Sequence, residues 1–161
     1  MTNRILKIIY LSLAMIIWSC NDNSKSSDDN ITKKARTDSL KLKLDIKDYS
    51  SEELSPEADS IVQNWAIYED FKNEVERFQN YTIQDVISNI PTIEKTIDSL
   101  QKTIPKTLDT LPVSSRINVL HTKSKHLLLL SDKQRPKLKA IKIIAEGYPF
   151  EFNALNIQIN E

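Results

Sequence analysis

The chain has 161 residues, with 22 Lys and Arg against 22 Asp and Glu and a formal net charge of +0, a balance that gives no reason to expect a nucleic-acid partner. Its single glycine, Gly147, stands where average usage of about 7% would give roughly eleven, which argues against phosphate-cradling loops and many tight hairpins and leaves helices. One cysteine, Cys20, excludes an intramolecular disulfide, so stability has to come from packing.

The first element is a leader. Arg4 and Lys7 precede an apolar run from Ile8 to Trp18, broken by Ser12, and the small residue Ser19 precedes Cys20. Basic, apolar and small residues in that order form a secretory signal peptide, and the run falls short of the ~20 apolar residues that span a bilayer. A core helix would show a polar face, and this run shows none.

With cysteine directly after the small residue, Ile17-Trp18-Ser19-Cys20 resembles the lipobox of bacterial lipoproteins, although Trp18 is larger than the residue usual at its position. The resemblance covers residues 1–20. It implies cleavage between Ser19 and Cys20, a diacylglycerol on the Cys20 thiol and usually an acylated new amino terminus. Two or more acyl chains make a stable anchor where one does not. The implied location is the bacterial cell envelope, with the outer membrane favoured and the facing side open. With Arg4 and Lys7 removed, 20 basic and 22 acidic residues remain, a net of −2.

Residues 20–50 are rich in Ser, Asp, Asn and Lys, with no aromatic before Tyr49, and are expected to be a flexible tether. Asp22, Asp28 and Asp29 are mixed with Lys25, which favours a solvated linker over a surface-export signal. Residues 41–46 alternate and fit either a brief strand or a helical turn.

The folded domain is expected over 51–161. Ser55-Pro56-Glu57 gives an N-cap, a first-turn proline and negative charge at the positive end of the dipole. Ile61, Trp65, Tyr68, Phe71, Val75 and Phe78 then recur at threes and fours, predicting one helix that ends near Asn80. Thr82-Ile83-Gln84-Asp85 has the form of a capping box. It opens a near-heptad of Ile83, Val86, Ile90, Ile93, Ile97, Leu100, Ile104, Leu108 and Leu111. Small hydroxyl residues such as Thr96, Ser99 and Thr103 accompany this seam, and Pro91, Pro105 and Pro112 are expected to bend or break it.

Two further helices are predicted over about 115–131 and 133–146. The tail from Pro149 fits a helix through Phe152, Leu155 and Ile159, and nearly alternates as a strand would. A strand would have no obvious partner, which favours the helix. The expected fold is all-α: a small up-down bundle of three to four kinked helices behind the tether. Residues 52–109 carry 5 basic and 12 acidic residues and 110–161 carry 8 and 4, so antiparallel arms would attract.

No residue pattern here is assigned to catalysis, and the chain is not expected to be an enzyme or to hold a cofactor or metal. His121 and His126 are five residues apart, roughly 140° around a helix, so they do not share a metal as an i,i+4 pair would. Glu69, Asp70, Glu74 and Glu76 sit beside Lys72 and Arg77 as a solvated face, and the basic run Lys133, Arg135, Lys137, Lys139 and Lys142 is taken in the same way.

Trp65, Tyr68, Phe71 and Phe78 are first of all a core stripe, and the candidate partner or ligand face if part of it is open. The leading expectation is a lipid-anchored helical interaction or structural protein, held on the membrane through Cys20 and working with a protein partner or by self-association. The alternative is a small-ligand-binding or sensing bundle, with its pocket between the aromatic helix and the Thr-lined seam.

Overall fold

A computed structural model describes residues 25–131 and 136–161, with side chains from residue 33 onward. Ser19 and Cys20 lie outside the described residues, as do Lys133 and Arg135. Among the described residues the regular elements are helices, without strands. No helix among them is long and apolar enough to cross a membrane.

The chain divides into two units, Met1–Thr37 and Asp38–Glu161. Helix α1 (Lys25–Leu40) makes up the described part of the first and enters the second. It lies in the stretch expected as tether. No glycine or proline interrupts it.

In the second unit the helix expected from Ser55 to Asn80 is two helices, α2 (Pro56–Val62) and α3 (Ala66–Arg77), followed by a 3-10 turn over Phe78–Asn80. Ser55 caps α2 by accepting a hydrogen bond from Ala58 N at 3.2 Å. The break falls at Trp65, whose backbone leaves the helical region at φ −109 and ψ 72. Leaving the helix seats the indole in the core, where its Nε1 donates to Thr103 Oγ1 at 3.0 Å.

Helix α4 (Ile83–Lys102) starts in the expected capping box. The Thr82 hydroxyl and amide donate to Asp85 Oδ2 at 2.7 and 2.8 Å, and Asp85 N donates back to Thr82 Oγ1 at 3.2 Å. Those two donations from Thr82, the hydroxyl first, hold the Asp85 carboxyl below its ordinary value. A depressed carboxyl adds stability above its unfolded pKa, and this is lost as pH falls through the folded one.

Pro91 sits inside α4 without ending it. The chain instead breaks over residues 103–110, around Pro105, and Pro112 falls in the first turn of α5 (Leu111–Ser131), where its missing N–H costs nothing. α6 (Leu138–Glu146) and α7 (Tyr148–Asn160) complete the unit, so the tail is a helix.

One apolar core joins these elements. Ile83, Val86, Ile90, Ile93, Ile97 and Leu100 of α4 are buried against Val113, Ile117, Leu120 and Leu127 of α5. Polar pairs show α4 and α5 passing in opposite directions. Gln101 Nε2 donates to Asn118 Oδ1 at 2.6 Å, and Glu94 pairs further along with Lys125.

Candidate interaction face

The four aromatic residues singled out from the sequence are core. Trp65 and Tyr68 are 3% and 2% exposed, and Phe71 and Phe78 are 0% exposed. α7 covers them. Phe71 meets Phe152 edge-on at 5.6 Å, and Phe78 stacks on Tyr148 at 5.2 Å. Their side chains therefore offer no open face to a partner; the large apolar area that marked them as a candidate surface is what draws them inside. On the Thr-lined seam, Thr103 Oγ1 accepts from the Trp65 indole.

The other candidates do not converge. His121 is half-buried between α4 and α5, its Nε2 lacking a hydrogen-bond partner and 4.0 Å from Glu94 Oε1, while His126 is exposed. Glu69 and Glu74 pair with Lys72 and Arg77 at 3.9 and 3.3 Å, with Glu69, Asp70 and Glu76 open to solvent. Lys137 and Lys139 are exposed, and Lys142 pairs with Glu146. No group of three or more His, Cys, Asp or Glu side chains among the described residues is placed to hold a metal ion.

What the structure does assemble is a strap. Residues 42–55, the end of the expected tether and the start of the domain, run extended across the helices and are held through their main chain. Lys43 forms an antiparallel bridge with Thr82: Leu44 N donates to Tyr81 O at 2.9 Å, and Ile83 N donates to Leu42 O at 3.0 Å. Leu44 is buried at this crossing, and Asp45 N donates to Glu146 Oε1 at 2.6 Å. Asp48 turns the chain in the left-handed region at φ 56, after which the Tyr49 ring meets Phe150 edge-on at 5.8 Å.

From Ser50 onward, three asparagines of α7 take over. Asn153, Asn156 and Asn160 follow i, i+3, i+7 spacing and so share one face of the helix. Asn153 Nδ2 donates to Ser50 O at 2.6 Å, and its Oδ1 accepts from Glu52 N at 3.0 Å. Asn156 Nδ2 donates to Glu52 O at 2.9 Å. Asn160 Nδ2 donates to Glu53 O at 3.0 Å, and its Oδ1 accepts from Ser55 N at 2.8 Å. An amide carries both a donor and an acceptor, which lets one side chain copy the hydrogen bonding of a neighbouring strand.

Asn156 is the pivot. It is 2% exposed, and its Oδ1 accepts from the Tyr68 hydroxyl at 2.8 Å, so α3 fixes the orientation in which the amide meets the strap. Burial, then the charges of Glu69 and Asp59, push the Tyr68 hydroxyl above its ordinary value and keep it a neutral donor. Beside the strap lies a cavity of about 650 Å³, lined among others by Glu52, Leu54, Asp59, Val62, Tyr68 and Glu69.

None of the three asparagines was singled out from the sequence. The available signal was three residues of poor helix propensity on one face of a short C-terminal helix, an arrangement that calls for side-chain partners to offset it. The chain matches no protein-family model, no curated protein and no solved structure.

Proposed function

We propose that the protein is a lipid-anchored helical interaction protein of the bacterial cell envelope, tethered through Cys20 and presenting a helical surface to a protein partner. The observation that carries this reading is the ordered run from Arg4 through the apolar residues to Ile17-Trp18-Ser19-Cys20. Joined to it is a helical unit whose α7 already grips an extended segment by its main chain. Within that unit we read α3, α4, α5 and the α6–α7 pair as arms of an up-down bundle. Gln101–Asn118 with Glu94–Lys125, and Tyr68–Asn156 with Phe78–Tyr148, support that arrangement, as does the attraction of acidic for basic arms.

Metabolic labelling with an alkyne fatty acid tests the anchoring. The wild-type chain is expected to take up label and appear in the shortened form, while Cys20→Ala takes up none and accumulates at full length. Label retained on Cys20→Ala would contradict the reading.

A small-ligand role is the second reading. It is favoured by a cavity of about 480 Å³ where Ile61 of α2 faces Thr107, Thr110 and Ile159, near the end of the Thr-rich seam.

A further inference from the structure

We propose that the asparagine face of α7 is a binding site for an extended, basic peptide segment, which takes the place of the chain's own acidic strap over residues 50–55. The proposal rests on the reading of this protein as an interaction module and names the chemistry of its partner.

The face is built for a main chain. All five strap hydrogen bonds from Asn153, Asn156 and Asn160 go to backbone N–H or C=O groups, and none goes to a strap side chain. Another extended segment would satisfy the same donors and acceptors, as strands added to sheet edges do, with side-chain pockets supplying the selectivity. The resident segment brings few side-chain contacts of its own. Residues 50–53 are exposed, and Leu54 and Ser55 are half-buried. A segment held by hydrogen bonds with little apolar burial opens locally at low cost.

The resident also fits its surroundings poorly. Its side chains leave the cavity of about 650 Å³ beside them unfilled. Glu52 and Glu53 face a region of like sign, for residues 56–77 carry six acidic and two basic side chains, with Asp59 and Glu69 on the cavity itself. The one basic side chain there, Lys72, is already paired with Glu69 at 3.9 Å. A lysine or arginine of an incoming segment would bring its charge to Asp59 and Glu69. Replacing two carboxylates by cations turns repulsion into attraction, and electrostatic complementarity of this kind sets specificity.

The test uses the mature chain from residue 20 with Cys20→Ser and two fluorescent nine-residue probes. One copies residues 48–56, and the other is the same peptide with lysine in place of both glutamates. Glu52→Pro removes the N–H that Asn153 accepts, one of the five strap hydrogen bonds, and so loosens the strap without altering α7. This variant is expected to bind the lysine probe at least about tenfold more tightly than the parent, because the competent fraction rises. The lysine probe should also outcompete the glutamate probe, and Asn153→Ala with Asn160→Ala should abolish binding. Equal binding of both probes, or binding indifferent to the asparagine changes, would overturn the proposal.

Should Glu52→Pro lose its helical circular dichroism, the parent is titrated with the lysine probe by NMR. Shifts at the Glu52 and Ser55 amides and the Asn153 side chain are expected, and silence there would overturn the proposal. An envelope partner retained in full by the asparagine double variant would overturn this site and leave the interaction reading standing.

Discussion

Truncating Phe71 to alanine is expected to lower the unfolding free energy by about 3–5 kcal/mol, the range for deleting a fully buried aromatic side chain. Phe71 is 0% exposed and packs edge-on against Phe152 at a centroid distance of 5.6 Å, where α3 meets α7. Two terms add. Burial of the ring is lost, and the cavity left behind has ring neighbours on α7 that relax only partly. Phe71→Leu should cost far less, about 1.5 kcal/mol or under, because most of the volume is kept. Urea unfolding of both variants measures the difference. A cost for Phe71→Ala near that of a surface change would show that α7 does not cover the aromatic stripe.

Replacing Asn156 by alanine is expected to cost about 2–3 kcal/mol, although it removes little apolar area. Asn156 joins the Tyr68 hydroxyl at 2.8 Å to the Glu52 carbonyl at 2.9 Å, and it is 2% exposed. Its loss strands the buried Tyr68 hydroxyl, and an unsatisfied buried donor costs about 1–3 kcal/mol beyond the bond itself. Tyr68→Phe in the same chain removes the stranded group, so the double variant should be less destabilised than the two single changes summed. That coupling distinguishes a network from two independent contacts. Strict additivity would mean that the Tyr68–Asn156 bond contributes nothing.

The parts of the fold legible in the sequence were those with local causes. The three-and-four spacing of Trp65, Tyr68, Phe71, Val75 and Phe78 marked a stripe, and all five are buried. Thr82 and Asp85 announced a helix start that the capping box makes. In the tail, Phe152, Leu155 and Ile159 are buried on one side of a helix, while Phe150 and Ile157, which suited the alternating pattern, are exposed.

What escaped was set by distance along the chain. The break at Trp65 is invisible in a periodicity that carries on through it, because its cause is an indole reaching Thr103, 38 residues away. The strap is harder still. Its bonds to Asn153, Asn156 and Asn160 span 101 to 107 residues, and the Ser and Glu that dominate residues 50–55 are also what a tether is made of. The candidate face fell in the same gap. Aromatic area pointed to residues that fold inward, whereas the polar face that grips another segment looked in sequence like an ordinary solvated side of a helix.

Residue-resolved amide hydrogen exchange on residues 20–161 with Cys20→Ser tests the docking of the strap directly. The amides of Leu44, Asp45, Glu52 and Ser55 are donors to Tyr81, Glu146, Asn153 and Asn160. They should exchange more slowly than the intervening Glu53, whose side chain stands in solvent. That alternation is the signature of an extended segment held edge-on by α6, α7 and the turn before α4. Uniformly fast exchange from residue 42 to 55 would contradict it, leaving the asparagine face of α7 open and the segment a tether along its whole length.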